Sequence, residues 1–209
     1  MPREHHRPVQ FTDAEFAALQ GGEDPALVNR VAHDTANALL HRVREDPDPA
    51  VVERLVTYTD VHGIEAIAEL WARVGPHTLP GALWRIYLVR TVIRQNPEEI
   101  AYLFERGTEL IGTIDQAVAG AEEPTGPAEI LTLSDRILHG LYTGDFAVAL
   151  ERGAAFARLT AAGATSVADD ADVSAAERAS ALTTRAFRLA ELAEDLSAAA
   201  ALWRRESLD

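Results

Sequence analysis

Residues 76–107 read PHTLPGALWRIYLVRTVIRQNPEEIAYLFERG, the longest dense apolar run of the chain, with helix punctuation at both ends of its central part. Pro80 suits the first turn of a helix, where its missing N–H costs nothing. Asn96-Pro97 ends that helix, because a residue before proline is pushed out of the α region. Asn96 then caps a second helix, with Pro97 in its first turn and Glu98 and Glu99 on the positive end of its dipole. On a wheel of about 100° per residue with Arg85 at zero, Ala82, Ile86, Val89 and Ile93 fall at about 40–100°. Trp84, Leu88 and Val92 fall at about 260–340°, and Leu83, Tyr87, Arg90 and Arg94 at about 140–200°. Helix 79–95 is therefore apolar on two sides, as a buried helix is, with Arg90, Arg94 and Tyr87 as its polar stripe. Arg85 is the misfit on the apolar arc. It either pairs with a carboxylate from another helix or reaches water, or else it serves as an anion-binding group in a pocket walled by Trp84 and Tyr87. Trp84, Arg85, Tyr87 and Arg90 are accordingly the candidate ligand-binding residues.

Upstream, residues 1–10 read as a mobile tail ahead of a single all-helical domain over 11–209. Thr12-Asp-Ala-Glu15 has capping-box spacing and opens a short helix closed by Gly21-Gly22. Asp24-Pro25 starts a helix to about Glu45 with Val28, Val31, Ala32, Ala36, Leu39, Leu40 and Val43 inward. Its other face carries His33, Asn37, His41 and Glu45 at four-residue spacing. This invites a metal reading but lacks the HExxH pattern, so no metal site is assigned. Asp48-Pro49 begins a further helix with Leu55 and Tyr58, and Ile64 to Val74 another with Trp71 inward.

Downstream, the helix after Asn96 runs to Arg106, Gly107 breaks it, and a weaker helical stretch covers 108–119. Residues 120–127, GAEEPTGP, have loop composition and are the candidate sub-boundary of the domain. Residues 128–162 read as a helical hairpin turning at Thr143-Gly144-Asp145, followed by an acidic loop over 163–173. Ser174-Ala-Ala-Glu177 is a second capping box opening a long C-terminal helix. Along it Leu182, Ala186, Leu189, Ala193, Leu196, Ala200 and Trp203 alternate steps of four and three, a heptad seam. The seam docks on its own chain or forms a homodimer through 174–206. In the dimer case, removing 174–209 would leave a folded core.

The expected fold is thus all-α, a compact bundle of about eight or nine helices with a long C-terminal helix. The formal net charge is −14 and no basic stripe exists, which argues against nucleic acid as a partner. All 19 basic residues are arginine, which removes lysine-dependent chemistry, and there is no cysteine for disulfides or thiol catalysis. No signal peptide or membrane span is visible, so a cytoplasmic location is expected. No catalytic signature occurs: no GxSxG, no phosphate loop and no strand pattern.

The phrase LYTGDFAVALERGAAF (141–156) resembles the join between two helices of a tetratricopeptide repeat, without a second copy at repeat spacing. It supports one hairpin and no solenoid. HTLPGALWRIYLVRTVIRQNP and YTGDFAVALERGAAFARLTAAG resemble signatures of a group of small helical proteins of high-GC actinobacteria. That resemblance covers about half of the chain. It implies a bacterial cytoplasmic helical protein and brings no catalytic residue and no cofactor. The functional expectation is a non-enzymatic interaction or adaptor protein that associates with a protein partner or with itself. The alternative is a helical bundle with a small-molecule pocket near helix 79–95.

Overall fold

The computed structural model describes residues 25–45, 71–111, 114–120, 125–171 and 175–209. Seven helices and no strand occur among these residues. They are α1 (Pro25–Glu45), α2 (Leu79–Gln95), α3 (Pro97–Leu110), α4 (Asp115–Ala119), α5 (Pro127–Thr143), α6 (Phe146–Asp169) and α7 (Ala176–Arg204). The all-helical class is as expected. The expectation of eight or nine helices counted stretches around 12–20, 48–62 and 64–70 that lie outside the described residues, as do the 1–10 tail and part of the 120–127 loop.

Local chemistry explains most helix ends. The Thr78 hydroxyl caps α2 by accepting from Gly81 N at 3.2 Å, with Pro80 in the first turn. Asn96 ends α2 and caps α3, its side chain accepting from Glu99 N at 3.2 Å. Asp145 caps α6 through Ala147 N (2.8 Å) and Val148 N (3.2 Å), which fixes the hairpin turn from α5. The start of α7 differs from the expected capping box. Its N-cap is Ala175, which has no side-chain oxygen to offer, and Ser174 is outside the described residues.

Two glycines read as helix stops are interior residues. α3 continues through Gly107 to Leu110, and α6 continues through Gly163 to Asp169. Each lies where the other helix comes closest. A Cβ on Gly107 would stand 1.9 Å from Leu159 O, and one on Gly163 would stand 1.8 Å from Leu103 O. The glycines are kept for backbone contact between α3 and α6, which outweighs their poor helix propensity.

This contact also shifts the centre of the molecule from helix 79–95 to α6. The most extensive helix–helix interfaces all have α6 on one side, facing α7, α3, α4 and α5. Fully buried Phe104 and Phe156 stack between α3 and α6 with centroids 5.6 Å apart. One apolar cluster runs from Ala32 in α1 to Ala200 in α7, with members on both sides of the 120–127 loop. On α1, Ala32, Ala36 and Leu40 are buried as expected, whereas Val31 is 40% exposed.

The C-terminal seam docks on its own chain. Leu182, Leu189, Ala193, Leu196 and Ala200 are buried, mainly against α6, and Trp203 packs on Phe146 with centroids 4.4 Å apart. Among the described residues the seam is therefore already covered by the chain's own helices. The tail beyond α7 folds back, with Leu79 N donating to Asp209 O at 2.7 Å.

At the end of α7 the Arg204 guanidinium grips Glu151 of α6 with two hydrogen bonds, at 2.5 and 2.8 Å. These bonds hold the Glu151 carboxyl below its ordinary value of 4.5. A carboxyl with a lowered folded-state value stabilises the fold above its unfolded value and loses that contribution as pH falls through the folded one. Glu151→Gln is thus expected to be less stable than the parent at pH 7, and equal to it once the pH drops well below 4.5, as read by urea denaturation at several pH values. A stability difference that persisted unchanged at the lowest pH would remove the ion pair as its cause.

Candidate functional site

Helices α2 and α7 run antiparallel. Their register is set by two ion pairs. Arg85 Nε donates to Asp195 Oδ2 at 2.8 Å, and Arg185 Nη1 donates to Glu99 Oε2, at the start of α3, at 2.6 Å. Rising numbers on one side thus meet falling numbers on the other. Between and beyond these clamps lies an open groove of about 1160 Å³. Among the described residues its floor carries Trp84, Leu88, Val92, Ile100, Leu189 and Leu192, and its rim carries Glu177, Ser180, Thr184, Arg188 and Glu191. At 1.5 Å rise per residue the α7 wall from 177 to 195 is about 27 Å long, and the clamps stand about 15 Å apart.

The groove lies beside the seam of α7, which packs mainly on α6. Ala186, Ala193 and Ala200 bring α7 close to α6 and leave α2 only lightly touched by α7. The next face of α7 around the wheel then looks out over α2. That face carries its own steps of four and three, at Glu177, Ala181, Thr184, Arg188, Glu191 and Asp195.

The four candidate residues of the sequence divide between two sides of α2. Trp84 and Arg85 line the groove. The Arg85 side chain is 17% exposed and also donates from Nη1 to Gly81 O at 3.1 Å. Its carboxylate partner answers the misfit noted on the apolar arc. Asp195 is shared with His77, whose Nε2 lies 3.5 Å from Oδ1. Tyr87 and Arg90 are outside the groove lining. Tyr87 is 2% exposed and packs on Trp71 with centroids 6.3 Å apart, while Trp71 Nε1 donates to Thr35 Oγ1 of α1 at 3.2 Å. Arg90 is buried and donates from Nε to Asp135 Oδ1 of α5 at 3.2 Å. Of the expected polar stripe, Tyr87 and Arg90 are thus buried and Arg94 is exposed; the Arg90 guanidinium is tolerated there because it has a half-exposed carboxylate partner on α5.

Sequence reasoning passed over Arg188 and Asp195. The second four-and-three spacing on α7 was the available signal, and it was masked by the more apolar seam beside it. Among the described residues no group of three or more His, Asp or Glu side chains is placed to hold a metal ion. His33 lies on α1, and the side chains of His41 and Glu45 are outside the described residues. No helix of the described residues is long and apolar enough to cross a membrane. The chain matches no protein-family model, no curated protein and no solved structure.

Proposed function

We propose that the protein is a non-enzymatic helical binding protein whose ligand site is the groove between α2 and α7. The observation that carries this reading is the groove itself, about 1160 Å³ with an apolar, tryptophan-bearing floor and a polar, charged rim. An apolar floor with polar groups at its edge suits an amphipathic small molecule, and the volume is just above the usual range of roughly 300–1,000 Å³. A cytoplasmic location belongs to the same reading and is supported by the cysteine-free composition. A second reading, self-association as an interaction protein, is favoured by Phe187, which stands 64% exposed on the outer surface of α7.

Native mass spectrometry of untagged protein separates the two. A resident ligand gives mass above a multiple of 22.7 kDa that is lost on denaturation and is absent from Thr184→Trp, whose indole fills the groove from an exposed position. Excess mass retained by Thr184→Trp would move the ligand elsewhere. A clean dimer that Phe187→Ser converts to monomer would favour self-association. A clean monomer without excess mass would count against both a resident ligand and a stable dimer.

A further inference from the structure

We infer that the groove takes an amphipathic anion, with its apolar body on Trp84, Leu88, Val92 and Leu192 and its single anionic head on Arg188. This rests on the groove being the binding site. Among the described residues three cations line the groove, and two are already neutralised within the chain: Arg85 by Asp195 at 2.8 Å and Arg185 by Glu99 at 2.6 Å. Arg188 has no carboxylate partner among the described residues, yet it borders the apolar floor, about 40° from Leu192 around α7. In the register set by the clamps it stands across from residues 92–96. An uncharged occupant of that floor would crowd the guanidinium away from water without giving it a partner, and a cationic one would be repelled. An anionic head gains a charge-assisted hydrogen bond, and the planar guanidinium suits a carboxylate or a phosphate.

The two unpaired acids of the rim do not cancel this preference. Glu177 is about 16 Å from Arg188 along the helix, beyond the screening length of about 8 Å at physiological salt. Glu191 is one turn away but lies about 60° further round towards solvent. It weakens anion binding but lies further round from Leu192 than Arg188 does.

The test is titration with decanoate, decyltrimethylammonium and decanol below their micelle concentrations, read by tryptophan fluorescence and by calorimetry. Decanoate is expected to bind most tightly and to change the Trp84 emission, a change lost in Trp84→Phe. Arg188→Gln should bind decanoate at least about tenfold more weakly, the scale of one charge-assisted hydrogen bond. Arg188→Glu should prefer decyltrimethylammonium, Glu191→Gln should bind decanoate more tightly, and Arg178→Gln, outside the groove on the same helix, should match the parent. Equal affinity for decanoate and decyltrimethylammonium, or Arg188→Gln binding as the parent does, would overturn the anion assignment. The groove would remain the site in that case if Thr184→Trp abolished the signal. No binding of any of the three, or a signal intact in Thr184→Trp, would overturn both the anion assignment and the groove. Arg188 is exposed and unpaired, so its variants are expected to fold as the parent does.

Discussion

Gly163→Ala should destabilise the protein by about 3 kcal/mol or more, although alanine is the better helix former by about 1 kcal/mol. The added methyl would lie 1.8 Å from Leu103 O and 2.7 Å from Leu103 C, backbone atoms that cannot rotate aside. Relief requires α3 to move off α6 by more than 1 Å, roughly the overlap implied by ordinary contact distances. That movement loosens the Phe104–Phe156 stack and separates Gly107 from Leu159, so the cost spreads along the whole contact. Gly107→Ala should behave alike, and the double variant should cost less than the sum, because helices already parted accommodate both methyls. Gly153→Ala is the contrast. Its nearest neighbours are Ile86 Cδ1 at 2.8 Å and Leu196 Cδ1 at 3.2 Å, the ends of flexible side chains. Its net effect should stay within about 1 kcal/mol. Denaturant unfolding followed by far-UV circular dichroism measures all of these. A Gly163→Ala variant as stable as the parent would refute the close-approach explanation.

Removal of residues 176–209 is expected to abolish cooperative folding rather than dissociate a dimer from an intact core. Leu182, Leu189 and Leu196 are each under 5% exposed, and burying three leucines contributes about 5–9 kcal/mol. That is comparable with the whole stability of a domain, about 5–15 kcal/mol. The alanines between them and the α6 surface they cover are lost as well, together with the Arg85–Asp195 and Arg185–Glu99 pairs. Leu196→Asp is the point version, placing a charge at a fully buried position with a cost of several kcal/mol. The truncated chain should give no sigmoidal thermal transition and should elute as an expanded or aggregated species. A truncated chain that melts cooperatively with native helix content would show that the seam is peripheral.

The candidate site is half legible in the sequence. Trp84 and Arg85 could be named because a charge on an apolar arc demands an explanation. The choice between pocket group and ion pair depended on Asp195, which lies 110 positions away in the chain. Tyr87 and Arg90 were grouped with them by proximity in sequence. Their separation to the far side of α2 follows from what packs there: Trp71 on one and Asp135 on the other. Arg188 is inconspicuous in the sequence because an arginine on a long amphipathic helix is ordinary. It stands out only once its two neighbouring cations are seen to be neutralised.

Local patterns in the sequence by themselves determined the helical class, the cap at Asn96, the hairpin turn at Thr143-Gly144-Asp145 and the apolar face of α7. Each is settled within a few residues, by a proline, a capping oxygen or a 3.6-residue period. Tertiary structure alone decided which helix is central, what the α7 seam covers and whether a glycine stops a helix or lets another one approach. Gly107 and Gly163 look the same in one dimension as Gly120, which does adopt a left-handed backbone with φ of 74°. The difference lies in the Leu159 and Leu103 carbonyls pressed against them, and such a contact exists only after two helices distant in sequence have packed.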